Sequence, residues 1–485
     1  MARAPATGQA PGSGLGAARG TALPMIVIMT GVLITAVDTT IVVLALPEIE
    51  RSLHVPITSV VWVVIGYLLV ITLLATQVGR LGDMLGRVRM YEAGFAVFVL
   101  GSLLCALAWN EASIIAFRIV QGVGGAFVTA NSGAVIADLF PPERRGRAYG
   151  YNAVGWSVGA VLGIVLGGAL VTYVSWPWIF WINVPIGIAA LLLALRVLHD
   201  RGTRQQHRFD VAGMLTLGLG LFGVLWAITR LATTAMDAVT AGFLAGGIAL
   251  IAVFVLVERR QAEPMLRLSL LRVPGLAPAL LASFFQAIGN FAVLFLVIMY
   301  LQGPRGLSPI HASLLLVPGY VAGSAAGPLA GRLADRIGPV VPATAGLAIE
   351  VAALLVYAQL TISSGLWLVV LASVINGVGA SVFFPANNSS VMKASPPEVF
   401  GISSGMLRTF SNIGMVFSFA VAILIASRSI SRGLAFAIFV GSASLRGPVA
   451  VAFTNGLHAA FYASTGFMAL AAALSASRAS RAWTR

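Results

Sequence analysis

Charge is what this sequence has least of. Charged residues make up 9% of its 485 positions, where a soluble domain carries about 25%. Acids are the scarcer sign, 16 Asp and Glu against 30 Lys and Arg, and every base except Lys393 is an arginine. A chain that is 59% hydrophobic has too little polar surface to cover itself in water, so it reads as an integral membrane protein. Cysteine is nearly absent. Cys105 alone excludes an internal disulfide, and no Cys/His spacing suits a metal. Also missing are a phosphate-cradling glycine loop, a nucleophile triad and a zinc motif, so neither enzymatic chemistry nor a cofactor is expected. The net charge of +14 does not indicate nucleic acid, because the arginines lie in loops between apolar runs and not on one soluble face.

Those apolar runs are long. They last about 20 residues, the length of a spanning helix, whereas barrel strands alternate over about 10. Fourteen are expected, near 25–46, 59–78, 91–109, 113–137, 149–171, 178–198, 211–230, 239–257, 276–301, 311–330, 340–360, 366–390, 402–427 and 451–474. The first run is too long for a signal peptide and carries Asp38, so it reads as a retained helix. An even number of spans puts both termini on one side. With that topology 22 Arg and Lys fall on the side of the termini and six (Arg51, Arg230, Arg305, Arg428, Arg432 and Arg446) on the other, so the termini are expected in the cytoplasm of a cell with this protein in its plasma membrane. Residues 427–451 are expected outside, as a long loop or interfacial segment, since the apolar piece within them is too short to span.

The sequence also repeats. Gly79-Arg-Leu-Gly-Asp-Met-Leu-Gly86 returns as Gly331-Arg-Leu-Ala-Asp-Arg-Ile-Gly338, each a polar turn between two spans on the side of the termini. Gln121-Gly-Val-Gly124 returns as Asn376-Gly-Val-Gly379, Pro141-Pro-Glu143 as Pro396-Pro-Glu398, and Gly159 as Gly414. Matching elements point the same way, which is the parallel repeat of two six-helix halves found in transporters. The expected class is an all-α membrane protein: a tail over 1–23, one six-helix bundle over 24–200, two inserted helices with their connectors over 201–272, a second bundle over 273–475 and a tail over 476–485. The first tail, rich in Ala, Gly and Pro, reads as disordered.

The repeated turn resembles the loop signature of the major facilitator superfamily. Four further stretches narrow the resemblance to its fourteen-spanner drug–proton antiporters: Val37-Asp-Thr-Thr-Ile-Val-Val-Leu-Ala-Leu-Pro47, Arg118-Ile-Val-Gln-Gly-Val-Gly124, Gly159 to Gly168, and Trp178-Ile-Phe-Trp-Ile-Asn-Val-Pro-Ile-Gly187. It covers nearly the whole chain. The antiporter signature usually has Pro where Ile164 stands, which leaves the direction of transport open, and the segment before helix six has Trp176-Pro-Trp178 for the usual Trp-Arg-Trp. The resemblance implies a proton-coupled exporter of amphipathic or cationic compounds working by alternating access, with the proton gradient as energy source. Its partners would be a small amphipathic substrate, protons and the bilayer, and it would act as a monomer. The alternatives kept open are a dedicated exporter of one endogenous metabolite, lipid, peptide or self-made antibiotic, and a non-transporting receptor or scaffold.

Four residues are candidates for coupling or for the cavity. Asp38 is an acid in mid-membrane, where charge costs roughly 2.5–3.5 kcal/mol on insertion scales and acids usually face a cavity. Arg118 is the only base deep in the first half, with Gln121 one turn on, and moving a fixed cation toward or away from an acid is a means of coupling. Glu350 is an acid in the second half, placed to flank a central cavity with Asp38. Against each stands a plain packing or hydrogen-bonding role. Gln286, Asn290, Asn387 and Asn388 are read as packing or hydrogen-bonding groups. Gly155, Gly159, Gly163 and Gly167, with Gly168, put bare backbone on one face of the fifth span for close approach by another helix. Gly79, Arg80, Asp83, Gly86, Arg87, Gly331, Arg332 and Asp335 are taken as gate residues, where the resemblance implies that the aspartate docks on a helix end across the halves.

Overall fold

In a computed structural model of the chain, the residues described are 14–55, 57–140, 142–200, 208–232, 234–396, 399–427 and 448–482. Among them fourteen helices are long and apolar enough to cross a membrane. We number them α1 to α14: Gly14–Leu53, Trp62–Leu85, Arg87–Ala106, Glu111–Leu139, Pro142–Tyr173, Trp178–Val197, Val211–Leu231, Ala238–Glu258, Leu276–Gln302, Val317–Ile337, Val340–Tyr357, Leu366–Ala394, Phe400–Ser427 and Pro448–Ala482. A short helix, Pro309–Leu314, leads into α10.

Three boundaries differ from expectation for physical reasons. α1 begins at Gly14, inside the stretch read as a disordered tail, and runs on past Pro47 to Leu53. Proline is tolerated where neighbouring helices re-satisfy the freed carbonyls, and the extension buries Glu50, 1% exposed, at the helix end. The repeated turn is mostly helix. α2 continues through Gly79 and Asp83 to Leu85 and breaks only at Gly86, with φ 113°; α10 likewise runs to Ile337 and breaks at Gly338, with φ 85°. Only glycine adopts such values without strain. Residues 1–13, and 428–447 of the long segment expected outside, lie beyond the described residues.

Packing follows the repeat. α1 lies along α5 and α9 along α13; α4 packs on α3 and α2, and α12 on α11 and α10. The halves exchange partners across their seam, α5 against α10 with its leading short helix and α13 against α2. The duplication reaches single contacts. A Cβ on Gly159 would meet the Leu33 carbonyl and the Ala36 side chain, and one on Gly414 would meet the Phe284 carbonyl and the Ala287 side chain, the same pair one repeat on. The inserted α7 and α8 pack on each other through Gly220, Gly223 and Gly247, and α7 packs on α2 and α13. Asp237 caps α8 through the Thr240 amide at 2.7 Å and bonds Arg230 at 2.7 Å. The Thr240 hydrogen bonds, followed by the Arg230 guanidinium, hold its carboxyl down at about 2.

Candidate functional site

Five helices of the first half converge on Asp38. Arg118 on α4 donates from Nη1 to Asp38 Oδ2 at 2.7 Å, Gln121 Nε2 donates to Oδ1 at 2.8 Å, and Asn183 Nδ2 from α6 donates to Oδ1 at 3.3 Å. Arg118 also donates through Nε to the Val63 carbonyl of α2 at 2.8 Å and through Nη1 to Gln121 Oε1 at 2.6 Å. Gln121 reaches Ser102 of α3 at 2.8 Å. The guanidinium carbon lies 4.1 Å from the Tyr67 ring centroid and 5.6 Å from that of Phe180. Asp38 and Gln121 are 0% exposed, Arg118 and Asn183 1%.

This is an ion pair removed from water with every oxygen of the acid served. Removing two charges from water costs several kcal/mol each, and their attraction repays it only with good geometry and further hydrogen bonds. Here a carboxylate receives three donors and a guanidinium has a carbonyl, an amide oxygen and an aromatic face. The sequence makes room for it with glycine. A Cβ on Gly101 would strike the Gln121 backbone at 2.5 Å, and one on Gly125 would meet the Tyr67 hydroxyl at 2.9 Å.

The glycine face of α5 positions the acid-bearing helix. Gly155, Gly159, Gly163 and Gly167 stand opposite Met29, Leu33, Val37 and Ile41 of α1, both sets recurring every four residues. Thr40 donates to the Ala160 carbonyl at 3.3 Å, and a side chain at Gly163 would collide with the Thr40 hydroxyl. Gly168 faces across the seam, against Ser313 and Ile310, and the Ile310 amide donates to Thr172 at 3.3 Å.

Glu350 lies apart from that network. It is 0% exposed inside the second half, where Gln286 of α9 donates to its Oε2 at 2.9 Å. Its Oε1 and the Oε1 of Gln286, two acceptors, have no hydrogen-bond partner among the described residues. The position matching Gln121 is Asn376, which donates to Asn290 at 3.0 Å. So the second half carries an amide pair where the first carries charge. Asn387 donates to Ser283 at 2.9 Å and receives Arg478 at 3.0 Å, in keeping with a hydrogen-bonding role.

The two copies of the repeated stretch differ. In the first, Arg87 reaches Asp83 and Asp138, each at 2.7 Å. Arg80 donates to the carbonyls of Arg208, Glu263 and Pro264, tying α2 to the connectors of the inserted helices. Asp200 accepts from the Val88 amide at 2.8 Å, and its carboxylate fills the space beside Gly86. A Cβ at Gly82 would collide with Asn131, whereas Gly79 is open. In the second copy Gly331 and Gly338 have nothing within 4 Å of a would-be Cβ, and Arg332 and Arg336 are exposed. The side chain of Asp335 lies outside what the structure describes.

Comparison with known proteins accords with this architecture. The profile of the Major Facilitator Superfamily matches residues 28–419 and, overlapping it, 279–482. The chain belongs to the Major Facilitator Superfamily. It is 32% identical over 424 residues to the tetracenomycin C resistance and export protein of Streptomyces glaucescens, covering 86% of this chain and 78% of that one. It is 30% identical over 408 residues to the riboflavin transporter RibZ of Clostridioides difficile, covering 82% and 86%. A solved bacterial homologue of the human lysosomal transporter Spinster, inward-facing and unoccupied, shares the fold with a TM-score of 0.66 at 17% identity over 96% of this chain and 97% of that one.

The signatures in the sequence single out Asp38, Arg118 and Gln121 one by one, and the structure brings them together with partners the sequence did not point to. Asn183 falls in the Trp178–Gly187 segment, but one asparagine among apolar residues gives no signal of its own. Ser102, Asp138 and Asp200 lie outside the stretches that carry the signatures. The structure does not join Asp38 to Glu350; each is enclosed in its own half. Asp83 bonds Arg87 of the same half.

Proposed function

We propose that this superfamily member is a proton-coupled exporter of small amphipathic molecules, drugs or toxic compounds among them, working by alternating access. The observation that carries the reading is the Asp38–Arg118 pair, 2.7 Å apart and closed to water. An acid whose affinity for protons is set by one movable cation takes up a proton when the cation withdraws and releases it when the cation returns. That movement would be a shift of α4 against α1 within the first half, driven as the halves rock about the contacts of α5 with α10 and of α2 with α13. The Glu350–Gln286 pair offers a second proton site. A protonated Glu350 would carry a donor as well as acceptors, where the ionised group has acceptors alone.

The arginine asymmetry between loops supports placing both termini in the cytoplasm, in the plasma membrane. A relative named for resistance and export supports the outward direction. Both halves lie in one chain, so a monomer suffices, and the proton gradient is the only energy source the reading needs. The test is efflux of a panel of fluorescent amphipaths from cells expressing the protein, with and without an uncoupler. Export should stop when the gradient collapses; undiminished export would end the antiport reading. A second reading, dedicated export of one metabolite or self-made antibiotic, is favoured by relatives named for riboflavin and tetracenomycin. Competition among unrelated compounds would argue against it. A non-transporting receptor is disfavoured because the Arg87 bridges and the Asp38 pair are intact.

A further inference from the structure

Away from the helix ends, four charged side chains lie within the spans: Asp38, Arg118, Glu350 and Arg408. The first three are at most 1% exposed, but Arg408 is exposed. It sits eight residues into α13, about 12 Å along the helix at 1.5 Å per residue. One turn to either side, Ser404 is exposed and Asn412 half-buried, so this face of α13 is polar. A polar face suits water or cargo, not lipid tails. The seam passes here. Thr409 lies 3.3 Å from Thr76 of α2, and Arg408 donates from Nη1 to the Thr129 carbonyl of α4 at 2.9 Å.

We propose that Arg408 reads the charge of the cargo and that the cargo is an amphipathic anion. A guanidinium has five N–H donors, and among the described residues Arg408 makes one hydrogen bond, to Thr129. Among the described residues it forms no ion pair; Asp83 and Asp138, on the two helices that meet Thr409 and Arg408, are both bridged by Arg87. An exposed cation within a span is expensive unless it serves a pathway, and its free donors match a carboxylate, sulfonate or phenolate. A cationic cargo has no such attraction, because Asp38 is closed off by Arg118 and Glu350 is enclosed in its half. The inference rests on the transporter reading and sets the sign of charge left open there.

The test uses two ions of matched shape and opposite charge, tetraphenylborate and tetraphenylphosphonium, binding to the purified full-length protein in detergent. Binding needs no proton gradient, so its outcome is independent of antiport. The borate is expected to bind at least tenfold more tightly, with the preference falling to about onefold in Arg408→Gln and in Arg408→Met, and surviving in Arg408→Lys. Equal or tighter phosphonium binding by the unaltered protein would overturn the proposal, as would an unchanged preference in the two neutral variants.

Discussion

The two halves share a backbone and differ in charge. Gly159 and Gly414 admit the same pair of α1 and α9 residues, and Gly86 and Gly338 break their helices with the same sign of φ. Yet the first half buries a fully served ion pair where the second has an Asn376–Asn290 amide pair and a lone acid on a different helix. The first copy of the repeated stretch is tied down by Arg80, Arg87 and Asp200, and the second leaves its arginines exposed. Close helix contacts tolerate no side chain and so persist in both copies, whereas a buried charge persists only with its full set of partners. One half can therefore hold the ion pair while the other supplies neutral packing.

The largest expected effect is at the ion pair. Asp38→Asn leaves Arg118 buried without its counter-charge, which should destabilise by about 3–5 kcal/mol and abolish transport, measured by thermal unfolding in detergent and by dye efflux. Glu350→Gln, isosteric and neutral, should unfold within about 1 kcal/mol of the parent protein, since it leaves no charge unpaired. Equal losses in the two variants would break the contrast between halves.

Next come the matched glycines. Gly159→Ala and Gly414→Ala should each cost about 1–3 kcal/mol through overpacking, because each new methyl meets backbone, while Gly155→Ala, with its nearest neighbour at 3.3 Å, should cost less. Thermal shifts that differ between Gly159→Ala and Gly414→Ala would show that the seams are not equivalent. Smaller again is the contrast between Arg80→Ala and Arg332→Ala. The first removes bonds to the carbonyls of the connectors and should speed proteolysis there, while the second should change stability by no more than about 0.5 kcal/mol. The smallest effect concerns Asp237. Its folded carboxyl is held at about 2, below the unfolded value near 3.9. The stabilisation is therefore complete above about pH 4 and lost as pH falls toward 2, so Asp237→Ala should differ from the parent by a constant amount from pH 5 to 8 and converge with it in acid.

Much of this was legible in the sequence, and what was legible shares a physical cause. Span number follows from apolar run length, and the parallel halves from Gly79–Gly86 and Gly331–Gly338. The glycine face of α5 is visible because a four-residue spacing has one geometric meaning. Asp38 and Arg118 stand out because charge is rare in a span, but their bond was not visible, since 80 residues separate them. Asn183 and Ser102 are polar groups too ordinary to notice until a charge is found beside them. Glu50 lies past the span expected near 25–46 and is buried because the helix continues through Pro47. Arg408 stands six residues past the expected start of its span and matches no signature, so what draws attention to it is its exposure on the seam.

The most direct test of proton exchange uses proteoliposomes that enclose a pH indicator and receive an inward gradient of an amphipath that cells expel. Coupled exchange through the Asp38–Arg118 pair predicts that the lumen becomes alkaline as the compound enters, in proportion to the amount moved, and that Asp38→Asn abolishes the pH change. Entry of the compound with no change in luminal pH, or with acidification, would contradict the account.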